Sequence, residues 1–268
     1  MRQRDILSGI GFVLPFMAGF TVFTLIPFGW SIAYSLTSGL GGYAFAGLAN
    51  YTELFGSTAF LLAAYNTSRF LLTGVPLLLV LSLFLALLLH RAVKISAVAG
   101  AVYLYPLTVP LACLTLFVHA LIPDLLYSNA VFGVLVGVYI WKNIGYSVVL
   151  FTAGLSGIPE VYGMAAKTDG ANAFQRLRYI TLPLLSPTIF FVFIISVVGA
   201  FKIFREVYAI GGADPHNSIY MLQHFLNRNF ELLNYQRLSA AAFLIFAVVA
   251  VLVLLLFLYG KRRGAVEV

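Results

Sequence analysis

The chain carries little charge for its length. Only 9% of its 268 residues are Asp, Glu, Lys or Arg, whereas 62% are hydrophobic and the mean hydropathy is +0.99. A soluble domain carries about 25% charged residues. This chain cannot cover a water-exposed surface of that kind, so its composition predicts a membrane protein. The single cysteine, Cys113, excludes an intramolecular disulfide and a cysteine-based metal cluster.

Carboxylates are especially scarce inside the long apolar runs. An enzyme embedded in the membrane would need acidic residues or histidines clustered at helical spacing, and the runs lack such clusters. His119, His216 and His224 have no metal-ligand spacing, so we expect no metal site. The sequence also lacks the G-x-x-x-x-G-K-[ST] phosphate loop, which argues against ATP binding by this chain in that manner.

Six apolar runs are long enough to cross a bilayer, which takes about 20 residues per helix. They predict an all-α polytopic membrane protein with six transmembrane helices in one transmembrane domain over residues 1–268. The predicted spans are 6–36, 61–89, 95–121, 130–153, 184–204 and 238–259.

The distribution of Lys and Arg predicts the orientation of these spans. If the N-terminus is cytoplasmic, six spans return the C-terminus to the cytoplasm. The predicted cytoplasmic segments then hold ten Lys and Arg residues and the predicted outer segments hold two, Arg228 and Arg237. This excess follows the positive-inside rule and places loop 154–183 in the cytoplasm.

Loop 154–183 has the signals of two short helices joined at a glycine. Pro159 suits a first helical position, and Glu160 complements the positive end of the helix dipole. We expect that helix to end at Asp169 and Gly170, because glycine tolerates the left-handed conformation that closes a helix. Asn172 is suited to cap a second helix, and Pro183 predicts a bend before the fifth span.

The spacing within this loop resembles the EAA loop of importer-type ABC permeases. Ala165-Ala166 is followed after three residues by Gly170, and after nine more by Ile180-x-Leu182-Pro183. Met164 stands where the family usually has Glu. Segments 45–54, 66–67, 141–145 and 201–220 resemble the carbohydrate-uptake branch, including its maltose and glycerol-phosphate permeases.

The resemblance implies a transport subunit rather than an enzyme. It implies a second, different permease, two ATPase subunits or domains that use ATP and Mg²⁺, and an extracytoplasmic sugar-binding protein. It also implies a bacterial cytoplasmic membrane location and no cofactor bound by this chain. The alternatives are an ABC permease for a solute other than a sugar and, with less support, a secondary transporter. The residues that the resemblance assigns to ATPase coupling are Glu160, Met164, Ala165, Ala166, Asp169, Gly170, Ile180, Leu182 and Pro183.

Charged residues within spans usually face a bundle interior or a cavity, because they are costly in lipid. Lys142 lies mid-span and is a candidate for lining the substrate pathway, or for a structural role bonded to carbonyls or a carboxylate. Lys202, Arg205 and Glu206 form either a polar wall near the outer mouth or a solvated helix end. Lys202 and Glu206 are four residues apart and are predicted to be able to pair. Asn143 offers an amide suited to sugar hydroxyls.

Two further expectations concern the outer face. Arg69 lies near the outer end of span two, where its side chain is expected to snorkel to the interface. The long outer segment 211–237 is predicted to contact the binding protein.

Overall fold

The computed structural model describes residues 2–38, 44–91 and 104–262, and helices dominate these residues. The first part of the chain contains α1 (Arg2–Phe20), α2 (Ile26–Ser35), β1 (Thr37–Ser38), β2 (Ala44–Phe45), α3 (Ala49–Gly56) and α4 (Thr58–Arg91). Residues 104–108 are helical and precede α5 (Leu111–Leu121), α6 (Pro123–Leu126) and α7 (Val131–Ser156). The remaining helices are α8 (Glu160–Thr168), α9 (Ala173–Arg176), α10 (Leu182–Leu184), α11 (Ser186–Phe201), α12 (Phe204–Gly211), α13 (Leu222–Glu231) and α14 (Tyr235–Arg262).

Five helical stretches of the described residues are long and apolar enough to cross a membrane. They are Gly11–Ser35, Thr58–His90, Val131–Ser156, Ser186–Gly211 and Tyr235–Leu255. Helices suit this setting because each one satisfies its backbone hydrogen bonds internally, where lipid offers no partners. Helix α5 is apolar but shorter. The predicted third span, 95–121, begins outside the described residues.

The predicted fifth span, 184–204, does not match one regular helix. The chain turns at Leu185, runs as α11 to Phe201, and breaks at Lys202 and Ile203 before α12 begins. Helices α4 and α14 extend the predicted spans 61–89 and 238–259 by two or three residues at each end, and α7 extends 130–153 at its C-terminal end.

Two π-helical turns, Thr21–Leu25 and Leu177–Thr181, each end two residues before a proline. The prolines are Pro27 and Pro183. Proline has no N–H to donate, and its ring collides with the carbonyl four residues earlier. In both places that earlier residue, Phe23 or Tyr179, lies within the π turn. The wider turn therefore accommodates the proline without ending the helical path.

The first of two compact units comprises residues 1–61 and 225–250. In this unit Asn50 ties the end of α2 to the short sheet. Its Nδ2 donates to the carbonyls of Ser35 and Thr37, each at 2.8 Å. The Tyr51 hydroxyl donates to Ser35 Oγ at 2.8 Å. These bonds fix the segment that follows the first span.

The second unit comprises residues 62–224 and 251–268 and contains α7. Tyr139 and Phe70 pack edge to face with ring centroids 5.2 Å apart, in the larger of two apolar clusters. The Tyr139 hydroxyl donates to the Ser196 carbonyl of α11 at 2.7 Å. The smaller cluster contains Phe151, Leu185 and Val192. Both clusters depend on α7, which has the largest buried share of the five long apolar stretches.

Gly154 allows α7 and the beginning of α11 to approach closely. A Cβ at this position would lie 2.5 Å from Thr188 Oγ1 and 2.9 Å from Leu185 Cδ1. Small residues at such contacts let membrane helices pack backbone to backbone. At Gly137, on the same helix, an added Cβ would meet no atom of a neighbouring element within 4 Å.

We expect Gly154→Ala to lower the free energy of unfolding by about 1–3 kcal/mol, because the new methyl group overpacks the contact. The matched control is Gly137→Ala, which should be neutral or stabilising by up to about 1 kcal/mol because alanine is the better helix former. Thermal unfolding in detergent measures both. Equal midpoints for the two variants would contradict the close approach.

Candidate functional site

A cavity of about 240 Å³ lies in the second unit between α7, α11 and α12. All five residues predicted for the substrate pathway line it. The full lining is Leu107, Tyr139, Lys142, Asn143, Gly199, Lys202, Ile203, Arg205 and Glu206. Residues that are 64 positions apart in sequence therefore meet at one site.

Lys142 and Glu206 form an ion pair in the wall of this cavity. Lys142 Nζ lies 2.5 Å from Glu206 Oε1, and the two side chains are only 18% and 11% exposed. Each group supplies the counter-charge that the other needs away from water, because an isolated buried charge is very costly. Lys142 was considered either for lining the substrate pathway or for a structural role with a carboxylate. The structure shows the carboxylate partner and also places the pair in the wall of the cavity.

The predicted pairing of Lys202 with Glu206 is wrong. Glu206 Oε1 lies 2.5 Å from Lys142 Nζ instead, and Lys202 has no salt-bridge partner among the described residues. In α12 the buried stripe is Glu206, Val207 and Ile210, which turns Glu206 inward toward Lys142. Lys202 and Arg205 are both exposed.

Sequence reasoning missed Tyr139 as part of the site. Tyr139, Lys142 and Asn143 have i, i+3 and i+4 spacing, which puts three polar-tipped side chains on one face of an apolar helix. That spacing was the available signal. Asn143 Nδ2 donates to the Tyr139 carbonyl at 2.8 Å. Leu107, Gly199 and Ile203 carry no comparable signal, because only the packing brings them to the cavity.

Residues 160–176 form two short helices, α8 and α9, with Gly170 between them. Helix α8 ends in a Schellman motif, in which Ala171 N–H donates to the Ala166 carbonyl at 2.9 Å and Gly170 N–H to the Lys167 carbonyl at 3.1 Å. Gly170 has a φ of 84°, which favours glycine. Asn172 and Gln175 form a capping box with bonds of 2.9 and 2.8 Å.

Two details of this segment differ from the sequence prediction. Pro159 is the N-cap of α8, and Glu160 is the first helical residue. Pro183 lies inside α10, and the helical assignment is interrupted only at Leu185, a turn residue between α10 and α11. The π turn that contains Ile180 accommodates Pro183, so the helical path continues through the proline.

The two faces of α8 have different surroundings. Glu160, Gly163 and Lys167 line a cavity of about 700 Å³ together with the ends of α4 and α7. The opposite face carries the stripe Val161, Met164, Ala165 and Thr168, which is exposed throughout; Val161 is 58% and Met164 57% exposed. Ala165 belongs to this exposed stripe, whereas Ala166 lies beside the stripe and is half-buried. An exposed apolar stripe on a polar loop is a feature of partner-binding surfaces.

Outside the cavity, α4 holds the segment that follows α12. Asn66 Nδ2 donates to the carbonyls of Asn217 and Tyr220 at 2.6 and 2.9 Å. Thr67 Oγ1 accepts from Leu222 N–H at 3.1 Å. The predicted outer segment 211–237 is therefore partly helical and anchored, with α13 within it.

Arg69 is also at this end of α4. Its guanidinium carbon lies 3.9 Å from the centroid of the Phe132 ring. The side chain is exposed as expected, and a cation–π contact accounts for part of its placement.

His224, at the start of α13, is buried among aromatic rings. It is 2% exposed, and the Phe204 ring centroid lies 4.9 Å from its own. Its Nε2 has no hydrogen-bond partner among the described residues. Burial lowers the pKa of His224 from 6.5 to about 4, because the charged imidazolium would lose its hydration.

Comparison with known proteins identifies the family. Residues 68–262 match the model of the binding-protein-dependent transport system inner membrane component. The chain belongs to this family. It is 33% identical over 282 residues to the probable ABC transporter permease protein YesP of Bacillus subtilis (strain 168), covering 95% of this chain and 91% of that one. It is 27% identical to the lactose transport system permease protein LacF of Rhizobium radiobacter, with 98% and 96% covered.

The permease fold also matches solved structures. One is a bacterial ABC transporter involved in the import of the acidic polysaccharide alginate, with a TM-score of 0.75 and 20% identity over 97% of this chain and 96% of that chain. Another is an alginate ABC transporter in complex with an alginate pentasaccharide-bound periplasmic protein, with a TM-score of 0.75 and 19% identity over 99% and 98% of the chains. At these identities the likeness shows the fold.

The Lys142–Glu206 pair predicts a non-additive pair of variants. Lys142→Met and Glu206→Met should each lower the free energy of unfolding by about 2–3 kcal/mol, because each leaves one mostly buried charge without its partner. The double variant should lose less than the sum of the two single losses, since no unpaired charge remains. Thermal unfolding of the four proteins in detergent gives the interaction energy by a double-mutant cycle. Strict additivity would show that the two groups do not interact.

The burial of His224 predicts a loss of stability in acid. Between about pH 6.5 and 4 the unfolded chain takes up a proton at this residue and the folded chain does not, so stability should fall as the pH falls through this window. The slope is at most about 1.4 kcal/mol per pH unit. The His224→Phe variant should show a weaker dependence of the thermal unfolding midpoint on pH. The control His216→Gln should keep the dependence of the unmodified permease. Parallel curves for His224→Phe and the unmodified permease would exclude this origin.

Proposed function

We propose that this chain is the transmembrane permease subunit of an ATP-driven ABC importer for a sugar or oligosaccharide. The observation that carries this proposal is the family match over residues 68–262, together with the intact geometry of the loop between α7 and α11. Relatives are named as permeases for lactose, trehalose/maltose and arabinooligosaccharides. An extracytoplasmic binding protein delivers the sugar, and a second permease completes the pathway.

One relative favours a second candidate substrate. The chain is 29% identical, over 94% of its length, to a permease named for sn-glycerol-3-phosphate transport in Yersinia pestis. An importer of a solute that is not a sugar has the same subunit plan, so the choice depends on the substrate site and the binding protein.

The proposed topology has six transmembrane helices with both termini in the cytoplasm of a bacterial cell. The five long apolar stretches support it, and α5 with the helical residues before it supplies part of the remaining span. The excess of Lys and Arg in the corresponding segments supports the orientation.

We propose that α8, α9 and α10 dock on the partner ATPase and transmit its closure. The exposed stripe of Val161, Met164 and Ala165 presents apolar surface with little bulk at its centre. Asp169 and Gly170 hold the bend, and Ile180, Leu182 and Pro183 carry the second helical part directly toward α11. Met164 stands where the family usually has Glu. Glu160 lies on the opposite face of α8 and does not supply that charge, so Met164 contributes apolar packing to the docking surface. The ATPase uses ATP and Mg²⁺, and this chain needs no cofactor of its own.

The cavity around Lys142 is the proposed part of the substrate pathway in this subunit. It opens between the long helix α7 and the turn that follows α11, and six polar or charged side chains meet there. The segment 211–237, held by Asn66 and Thr67, is the proposed contact for the binding protein.

A bulky residue in the exposed stripe tests this function. In the importer assembled with its ATPase, second permease and binding protein, Ala165→Trp should lower both the co-purified ATPase and the binding-protein-stimulated ATP hydrolysis at least tenfold, about 1.4 kcal/mol of binding free energy. The reason is that a large ring separates the docked surfaces. The measurement uses a panel of sugar-loaded binding proteins, so that the stimulating sugar is found at the same time.

The matched control is Lys167→Trp, which places the same ring on the opposite face of α8 and should retain the ATPase. Full stimulation of the Ala165→Trp importer would refute docking through this stripe. An assembled, unmodified importer that no sugar-loaded binding protein stimulates would refute the importer function itself.

A further inference from the structure

The cavity between α7, α11 and α12 has more positive than negative side chains. Its walls hold Lys142, Lys202, Arg205 and one carboxylate, Glu206. The Lys142–Glu206 ion pair neutralises one cation. Lys202 and Arg205 therefore remain as two uncompensated positive charges on the same cavity, and neither has a salt-bridge partner among the described residues.

Local helix electrostatics explains one of these charges and not the other. Lys202 lies at the C-cap of α11, where the negative end of the helix dipole favours a cation. Arg205 is the second residue of α12, where the positive end of that helix disfavours a cation. Glu206, the next residue, faces Lys142 and does not pair with Arg205. Arg205 is thus held against the local field without a counter-ion in the described chain.

A solvated helix end is the simpler explanation, because long cationic side chains reach water at low cost. It does not account for the convergence of both cations on one concave site beside Asn143 and Tyr139. Asn143 Nδ2 donates to the Tyr139 carbonyl. The Asn143 Oδ1 atom lies beside Gly199, 3.9 Å from where a Cβ on that glycine would be. The site therefore combines a neutral amide oxygen, which can accept from a hydroxyl, with two cations that a neutral sugar would leave unpaired.

We infer that this cavity takes the negatively charged group of an acidic sugar, with Lys202 and Arg205 as its counter-ions. Arg pairs with carboxylate and phosphate through two parallel hydrogen bonds, and Lys serves as a point charge beside it. A uronate carboxylate and a sugar phosphate share this chemistry. Asn143 then contacts a hydroxyl of the same ring. The inference rests on the proposed importer function and restricts its substrate to anionic saccharides.

The test uses the complete importer in proteoliposomes supplied with internal ATP. The external solution holds four probes: oligogalacturonates, their methyl esters, maltodextrins and glucose 6-phosphate. Mass spectrometry of the vesicle contents then identifies what is transported. We expect ATP-dependent uptake of an acidic probe, and a loss of at least tenfold in that uptake with Lys202→Gln/Arg205→Gln. Comparing the uptake of oligogalacturonate with that of its uncharged methyl ester tests recognition of a carboxylate. Uptake of glucose 6-phosphate tests recognition of a phosphate.

Two controls separate charge from structure. Lys202→Arg/Arg205→Lys keeps both charges and should retain acidic-sugar uptake. Arg69→Gln removes one positive charge outside the cavity and should leave the ratio of acidic to neutral uptake unchanged.

Each outcome decides between the two levels of the proposal. Uptake of neutral probes alone would overturn the acidic-sugar inference and leave the importer function standing. Acidic uptake that survives the double Gln substitution would also overturn it, since the two cations would then have no part in transport. ATP-dependent uptake of no probe, with no stimulation of ATP hydrolysis by any loaded binding protein, would refute the importer function and the inference with it.

Discussion

The constraint on which the second unit depends is that polar groups within an apolar bundle must find partners inside the protein. Lys142 on α7 has a carboxylate within 2.5 Å only because α12 turns Glu206 inward. Glu206 continues the buried stripe of Ala200 and Ile203, which recurs every three or four residues through the turn between α11 and α12. The ion pair and the cavity are therefore parts of one arrangement.

The same constraint fixes other helix contacts in this unit. The Tyr139 hydroxyl reaches the Ser196 carbonyl, and Asn66 donates to two carbonyls after α12. The Tyr139 bond joins two apolar helices, where lipid offers no water to replace it, and the Asn66 bonds hold the outer segment on α4. The bonds are few, and the apolar clusters around Tyr139 and Phe151 fill the space between them.

Prolines shape the loop that connects α7 to α11 in a way that bears on coupling. Pro183 is accommodated by a π turn, so the chain from Ala173 to Leu184 remains helical as it approaches α11. A helical connection transmits displacement better than an irregular loop would, because its backbone hydrogen bonds resist bending. The stiff second part and the glycine bend at Gly170 give the proposed docking surface a fixed position relative to α11.

The loop was the most predictable part of this protein, because its signals are local. A capping asparagine, a glycine with positive φ and an acidic first turn act within a few residues, and the structure has each of them where the sequence indicates. Composition likewise determined the membrane class, since so little charge cannot cover a soluble surface. The Lys142–Glu206 pair and the role of Tyr139 were decided only by tertiary structure. They depend on which faces of α7, α11 and α12 meet, and residues 64 positions apart carry no local signal of that contact.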